Sequence, residues 1–223
     1  MPESTPDHSS GYSSFARPNL LAGQQFPPPP QQERSRRKRE ALLSAALEMF
    51  AEYGYERAGV EAIARRAGVA VGAFYQHFTS KRQILLVLMD RLLEEVEGVM
   101  APAPGDVPGA MRSLIRSTLR QGLSVDWAYR GAYRAWREAA LVDEELRALQ
   151  LAVEQWAANR LIMMLRALSQ APHARTVAHV EDLGWALSLL FWRLAEETLP
   201  EPDALIETLT DMIYHTLFED GAE

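Results

Sequence analysis

The chain has 223 residues, 48% of them hydrophobic, and a formal net charge of −7, which excludes a globally disordered polypeptide. It has no cysteine, which removes disulfides, thiolate nucleophiles and Cys-ligated zinc together and suits a reducing compartment. No apolar run reaches the roughly 18 residues of a membrane helix, and Glu3 and Asp7 stand where a leader peptide would be basic, so the expectation is a cytoplasmic protein with no membrane partner.

Residues 1–33 hold seven of the 13 prolines, Pro27 to Pro30 among them, with Ser, Gln and Gly. Such a segment reads as a disordered, Pro-rich tail, because averaged over its length it buries too little to offset its ordering entropy. It runs into Arg34, Arg36, Arg37, Lys38 and Arg39, a basic arm suited to non-specific DNA contact. Beyond it, segments of helical period are punctuated by Pro and Gly, and no β-branched alternating run occurs. Residues 36–52 form an amphipathic helix with Leu42, Leu43, Ala46, Leu47, Met49 and Phe50 on its apolar face, ended by Gly54. Two short helices follow at 60–67 and 71–78, separated by Gly68-Val69-Ala70, then a longer one at 81–100, closed by Ala101 to Gly105. The remaining helices are expected at 107–123, 127–141, 144–169, 174–199 and 203–218, with Pro172, Pro200 and Pro202 as the firmest boundaries. The fold class is all-α, with about nine helices in three parts: the tail 1–33, a helix-turn-helix unit 34–80 and a larger helical domain 81–223.

The stretch Ala62 to Lys81 carries the functional signal. Two helices that cross steeply need small residues where their backbones meet, which Ala64 and Ala67 supply. The turn between them needs positive φ, hence Gly68. Val69 plugs the angle, with Ile63, Phe74 and Phe78 beneath it against Phe50 and Leu47. This is the logic of a helix-turn-helix, whose second short helix enters a major groove about 12 Å wide. Charge is distributed to match: residues 33–92 carry 11 Lys/Arg against 7 Asp/Glu, residues 93–223 carry 11 against 21. The acidic remainder repels DNA and confines contact to one end.

The residues Gly54-Tyr55, Ile63-Ala64, Ala67-Gly68-Val69 and Gly72-Ala73-Phe74-Tyr75-x-His77-Phe78-x-Ser80-Lys81 resemble the DNA-binding signature of the TetR (tetracycline repressor) family, over roughly residues 36–85. The resemblance implies a nine- or ten-helix homodimer whose first three helices read operator DNA. Helices four to seven would surround an effector pocket, and the last two would pack against their symmetry mates. It further implies phosphate contacts from Tyr75, His77 and Lys81, and base-edge or backbone contacts from Ala70, Val71, Ala73 and Gln76; Arg36 and Lys38 of the basic arm join the DNA-binding set. Two departures thin the polar readout: Ala58-Gly59 replaces a common Thr-Thr pair, and Ala70 and Ala73 replace Ser and Thr.

All five tryptophans fall in the C-terminal region. Large flat side chains around the expected pocket suit a small apolar or aromatic effector; Tyr133, Trp136, Trp156, Met163 and Phe191 are the candidates, with Arg134 and Glu138 as further polar anchors. A stripe of Gly184, Leu187, Ser188, Phe191 and Ala195 at helical spacing, with Leu205, Leu209, Met212 and Thr216 on the last helix, is the expected dimer interface. Competing readings are a small helical enzyme and a pure protein-interaction module. The five histidines are scattered, and His173 and His179 fall on different helical faces, so no catalytic group, metal site or cofactor is expected.

Overall fold

A computed structural model describes residues 16–29, 31–99, 110–197 and 201–218, and every regular element among them is an α-helix. In chain order these are α1 (Glu33–Arg57), α2 (Val60–Arg66), α3 (Val71–Tyr75), α4 (Lys81–Gly98), α5 (Ala110–Ala128), α6 (Arg130–Ala140), α7 (Glu144–Leu168), α8 (Val180–Glu196) and α9 (Pro202–Leu217). The expected helix ends at Met100 and Leu199 and the start at Val107 lie outside the described residues.

Several boundaries have local reasons. The first long helix is interrupted at Gly54 as expected: α1 kinks there, at φ 77° and ψ 179°, and one further turn runs to Arg57; that φ strains any residue with a Cβ. A Cβ there would also overlap the Glu138 carboxylate, which accepts the Tyr55 backbone N–H at 2.6 Å. α3 stops at Tyr75, and the N–H groups of His77 and Phe78 both close on the Phe74 carbonyl. α8 starts at Val180 instead of Ala174. Pro172 and the left-handed His173 (φ 63°) and His179 (φ 69°) keep the preceding stretch out of a helix, and Ala174 pairs with Phe218 in an isolated antiparallel bridge.

Two apolar clusters organise the bundle. The first contains Phe50, Ile63, Phe74 and Phe78 of the helix-turn-helix unit and continues without a break into Ile84 to Leu93 of α4, Trp136 of α6 and Trp156 of α7. The second joins Leu119 and Leu123 of α5, Leu187 of α8, and Ile206, Leu209, Ile213 and Leu217 of α9. Each such side chain contributes about 1.5–3 kcal/mol by leaving water. The expected domain boundary at 80–81 therefore falls inside one continuous core.

α4 is fastened along its whole length. Its N-cap is a reciprocal arrangement: Ser80 Oγ accepts the Gln83 N–H, and Gln83 Oε1 accepts the Thr79 N–H. Lys81 donates to the Tyr55 and Glu56 carbonyls at the end of α1. Arg82 bonds Asp143 and Glu145 at the start of α7, and Arg91 clamps both oxygens of Glu40 on α1 at 2.6 and 2.7 Å. At the far end, Arg160 of α7 donates to the carbonyls of Val96, Glu97 and Val99.

The expectation of a disordered tail up to residue 33 is corrected for residues 16–29. Leu20 is buried in the first cluster, with Leu21 and Phe26 packed against it. Arg17 reaches both the carbonyl and the carboxylate of Asp90 at 2.8 Å, and Gln83 donates to the Gln25 carbonyl. The composition of the whole tail concealed three apolar residues able to seat on α4. A turn at Asn19, whose Oδ1 accepts the Leu21 N–H, satisfies part of the local backbone.

Candidate nucleic-acid interface and interior cavity

The turn between α2 and α3 is closed by backbone bonds from Gly68 to Arg65 and from Val69 to Ala64, with Gly68 at φ 68°. Ile63, Ala64, Phe74 and Phe78 are fully buried beneath it. Aromatic contacts lock the base of α3: Phe74 and Phe78 centroids are 6.0 Å apart, and Arg39 lies over the Phe78 ring. With one face sealed, α3 turns the other outward. Ala70, Val71, Gly72, Tyr75 and Gln76 are exposed, Tyr75 by 53%, while Ala73 is half-buried. Neither Gly59 nor Ala70, the caps of α2 and α3, makes a side-chain capping bond, as their lack of hydroxyls foretold.

The cations near this face have different fates. Arg36 is exposed and Lys38 half-buried, and Arg57 and Arg65 are exposed. Arg66 is paired with Glu48 and Glu52. Two expected phosphate ligands turn inward. His77 is 5% exposed, and neither ring nitrogen has a partner. Burial, with Arg39 and Lys38 adding repulsion, lowers its pKa. A protonated His77 is thus disfavoured in the fold, so this site loses stability as pH falls through the histidine range. The Lys81 ammonium lies over the Tyr55 ring at 4.2 Å and caps the end of α1. Its sequence position beside the turn could not distinguish a cap from a phosphate clamp.

An apolar cavity of about 140 Å³ lies between α4, α5, α6, α7 and α8. Of the expected effector residues, Tyr133, Trp156 and Phe191 line it. Two do not. Trp136 is 1% exposed and is part of the packed core, and Met163 points to solvent at 50% exposure while its neighbour Met164 lines the wall. One residue along a helix turns the side chain by about 100°, which the pair Met163-Met164 left open. Arg134 and Glu138 are also corrected: they lie at the crossing with α1, where Arg134 donates to the Ala51 carbonyl at 2.8 Å. Asp126, Arg160 and Trp192 are among the lining residues missed from sequence. Asp126 accepts the Tyr133 hydroxyl at 2.7 Å, and burial pushes its carboxyl up to about 7. An acidic residue seven positions before a tyrosine, amid apolar helix, was the available signal.

A second, smaller apolar cavity of about 60 Å³ adjoins the first through Thr118, Leu119, Leu161, Met164 and Phe191.

Most of the expected dimer stripe on α8 faces inward. Gly184, Leu187, Ser188 and Ala195 are buried, a Cβ on Gly184 would overlap the Ile162 side chain of α7 and lie 3.2 Å from its backbone, and Phe191 serves the cavity. On α9, Leu209 is buried, Leu205 half-buried and Met212 exposed. The outward apolar residues of α8 are Trp185, Leu189 and Leu190, Leu189 by 67%. α8 is apolar on two sides, so periodicity alone did not say which side meets α7.

The family described as "Bacterial regulatory proteins, tetR family" matches residues 42–88, the helix-turn-helix unit and the first half of α4. The chain is 33% identical over 123 residues to the A-factor receptor protein of Streptomyces griseus, covering 52% of this chain and 44% of that one. It is 27% identical over 167 residues to the transcriptional repressor KstR of Rhodococcus jostii (strain RHA1), covering 75% and 64%. The matches thus span about half to two thirds of those relatives' length. In fold it resembles the TetR family regulator PfmR of Thermus thermophilus, with a TM-score of 0.63 at 22% identity over 82% of this chain and 98% of that one. With the signature residues seated on a helix-turn-helix, residues 42–88 are those of the TetR family of bacterial regulatory proteins, and the fold of the rest resembles solved members of that family.

Proposed function

We propose that the chain is a ligand-responsive repressor that binds a palindromic operator as a homodimer and releases it when a small apolar or aromatic effector enters the cavity. The observation that carries this reading is α3 itself, sealed underneath by Phe74 and Phe78 and open above at Val71, Tyr75 and Gln76. Val71 and Ala73 suit thymine methyls, Gln76 a base edge, and the Tyr75 hydroxyl a phosphate. Arg36 and Lys38 supply flanking positive charge. His77 and Lys81 act indirectly, His77 by filling the space under α3 and Lys81 by capping α1.

α4 links the two ends of the mechanism. Its first turn is tied to the end of α1 by Lys81, and its last turn is tied to the cavity wall by Arg160. A ligand that widens the gap between α4 and α7 moves α4, and the shared core carries that movement to α3. Two recognition helices must sit one groove repeat apart, about 34–36 Å or a multiple, so a small shift weakens both contacts. The ligand needs only a few kcal/mol of differential affinity between the two states.

The test is a gel shift on palindromic duplexes selected from random sequence. A selected duplex is expected to be retained, with affinity falling steeply as salt rises. Tyr75→Phe, which removes one hydroxyl per subunit, is expected to weaken binding about tenfold for two lost hydrogen bonds of about 1 kcal/mol or less each. Equal retention of random and selected duplexes removes the operator reading.

The exposed apolar residues Trp185, Leu189 and Leu190 on α8, with Met212 on α9, support a twofold interface through these helices, since one short recognition helix rarely holds an operator alone. Leu189→Glu is expected to sediment as a monomer and to lose DNA retention; a dimer that persists assigns the contact to another face.

A further inference from the structure

Asp126 is unusual in its surroundings. It lies in the last turn of α5, on the wall of a cavity lined mainly by Leu, Val, Met and aromatic side chains. Its partner is a single phenol hydroxyl, that of Tyr133, and burial holds that phenol well above its ordinary pKa, so it stays a donor. A carboxyl group in an apolar cavity costs free energy unless its charge is met. The negative end of the α5 dipole adds to the demand for a cation there. The other charged lining residue, Arg160, directs one nitrogen, Nη2, to three carbonyls at the end of α4 and lies 5.3 Å over the Trp156 ring, which fixes it at the junction of α4 and α7.

Resting on the reading of this cavity as the effector site, we propose that its ligand is an elongated apolar amine, whose ammonium pairs with Asp126 and whose tail runs along α5 toward the smaller cavity. The aromatic wall, Trp156, Phe191 and Trp192, supplies the kind of apolar surface that tolerates a cation. The reach follows from helix geometry. Thr118 borders both cavities and lies eight residues before Asp126, about 12 Å at 1.5 Å per residue. An arylalkyl amine with a short chain spans that distance. A carboxylic acid of the same shape would bring a second anion into the wall that holds Asp126.

The pairing also sets a pH response. Among the described residues, the ionisable groups lining the cavity are Asp126 from α5, Tyr133 from α6 and Arg160 from α7; the described lining residues from α4 and α8 are apolar or hydroxyl-bearing. In the pH range around neutrality, only Asp126 changes charge, because its carboxyl titrates near 7 when the cavity is empty. Ammonium binding requires the ionised form, so affinity rises with pH up to about that value and levels off above it.

The experiment is calorimetric titration of the full-length protein with 4-butylbenzylamine, 4-butylbenzyl alcohol and 4-butylbenzoate at pH 7.5. The amine is expected to bind at least tenfold tighter than the alcohol, and the benzoate more weakly than either. Between pH 5.5 and 7 the amine affinity is expected to rise severalfold while the alcohol affinity stays level. This arm uses the unaltered chain and does not depend on a variant folding. Asp126→Asn is expected to keep the alcohol and abolish the preference for the amine, whereas Tyr133→Phe, which leaves the carboxylate, keeps the preference. Equal binding of amine and alcohol, tighter binding of the benzoate, or a flat pH response overturns the amine while leaving the cavity as a ligand site. Failure of all three compounds to bind overturns the cavity reading and the amine together.

Discussion

Replacing Gly131 by alanine is expected to destabilise the protein by about 3 kcal/mol, at the upper end of the cost of overpacking a close contact. α6 crosses α1 at this glycine, where an added Cβ would overlap the Leu47 carbonyl oxygen and lie 2.9 Å from the Ala51 nitrogen. Both are backbone atoms in the middle of α1, so no rotamer change relieves them; the helices must move apart. Separation strains the bond from Arg134 to the Ala51 carbonyl and the one from the Tyr55 N–H to Glu138. It also opens the shared core at Ala132 and Ala135, both fully buried. Urea titration of the variant checks this through a lower midpoint with an unchanged slope. Wild-type stability in Gly131→Ala would mean that α1 and α6 do not meet at this spacing.

The second large effect is expected at Phe74. Its ring is wholly buried and packs against Phe78 and, edge-on at 5.3 Å, against Tyr75. Phe74→Ala removes the main side chain anchoring a helix of only five residues, a cost of about 3–5 kcal/mol for a buried phenylalanine. α3 has too few internal hydrogen bonds to stand alone, so the loss is concentrated there. Hydrogen exchange is expected to accelerate most in α2 and α3, and DNA retention to disappear. Exchange that accelerates equally throughout α5, α8 and α9 would instead mean that Phe74 stabilises the whole bundle and not the reading head in particular.

How far the chain could be read before folding depended on the range of the interaction concerned. The helix-turn-helix was legible because its constraints are local. Gly68 accepts positive φ, Ala64 allows close approach, and Phe74 and Phe78 fall on one face within a few residues of each other. The same locality limited the site residues. His77 and Lys81 sit at positions a sequence motif marks as ligands, yet Lys81 is drawn to Tyr55 and the end of α1, more than 20 residues away in the chain, and His77 is buried. The N-terminal segment shows the reverse error: judged by composition it is polar and proline-rich, but Leu20 and Arg17 meet Asp90 and the core of α4, contacts invisible to any local window.

Composition and helical period by themselves determined that the chain is all-α, where proline and glycine interrupt it, and which short helix is built to face outward, because these follow from backbone sterics and from neighbours along one chain segment. Only the tertiary structure decided which face of α8 is covered, which of Met163 and Met164 meets the cavity, and that Asp126 and Tyr133 share a hydrogen bond inside it. Those outcomes depend on how helices pack against partners remote in sequence, and an amphipathic pattern states that a face is apolar without stating what will cover it.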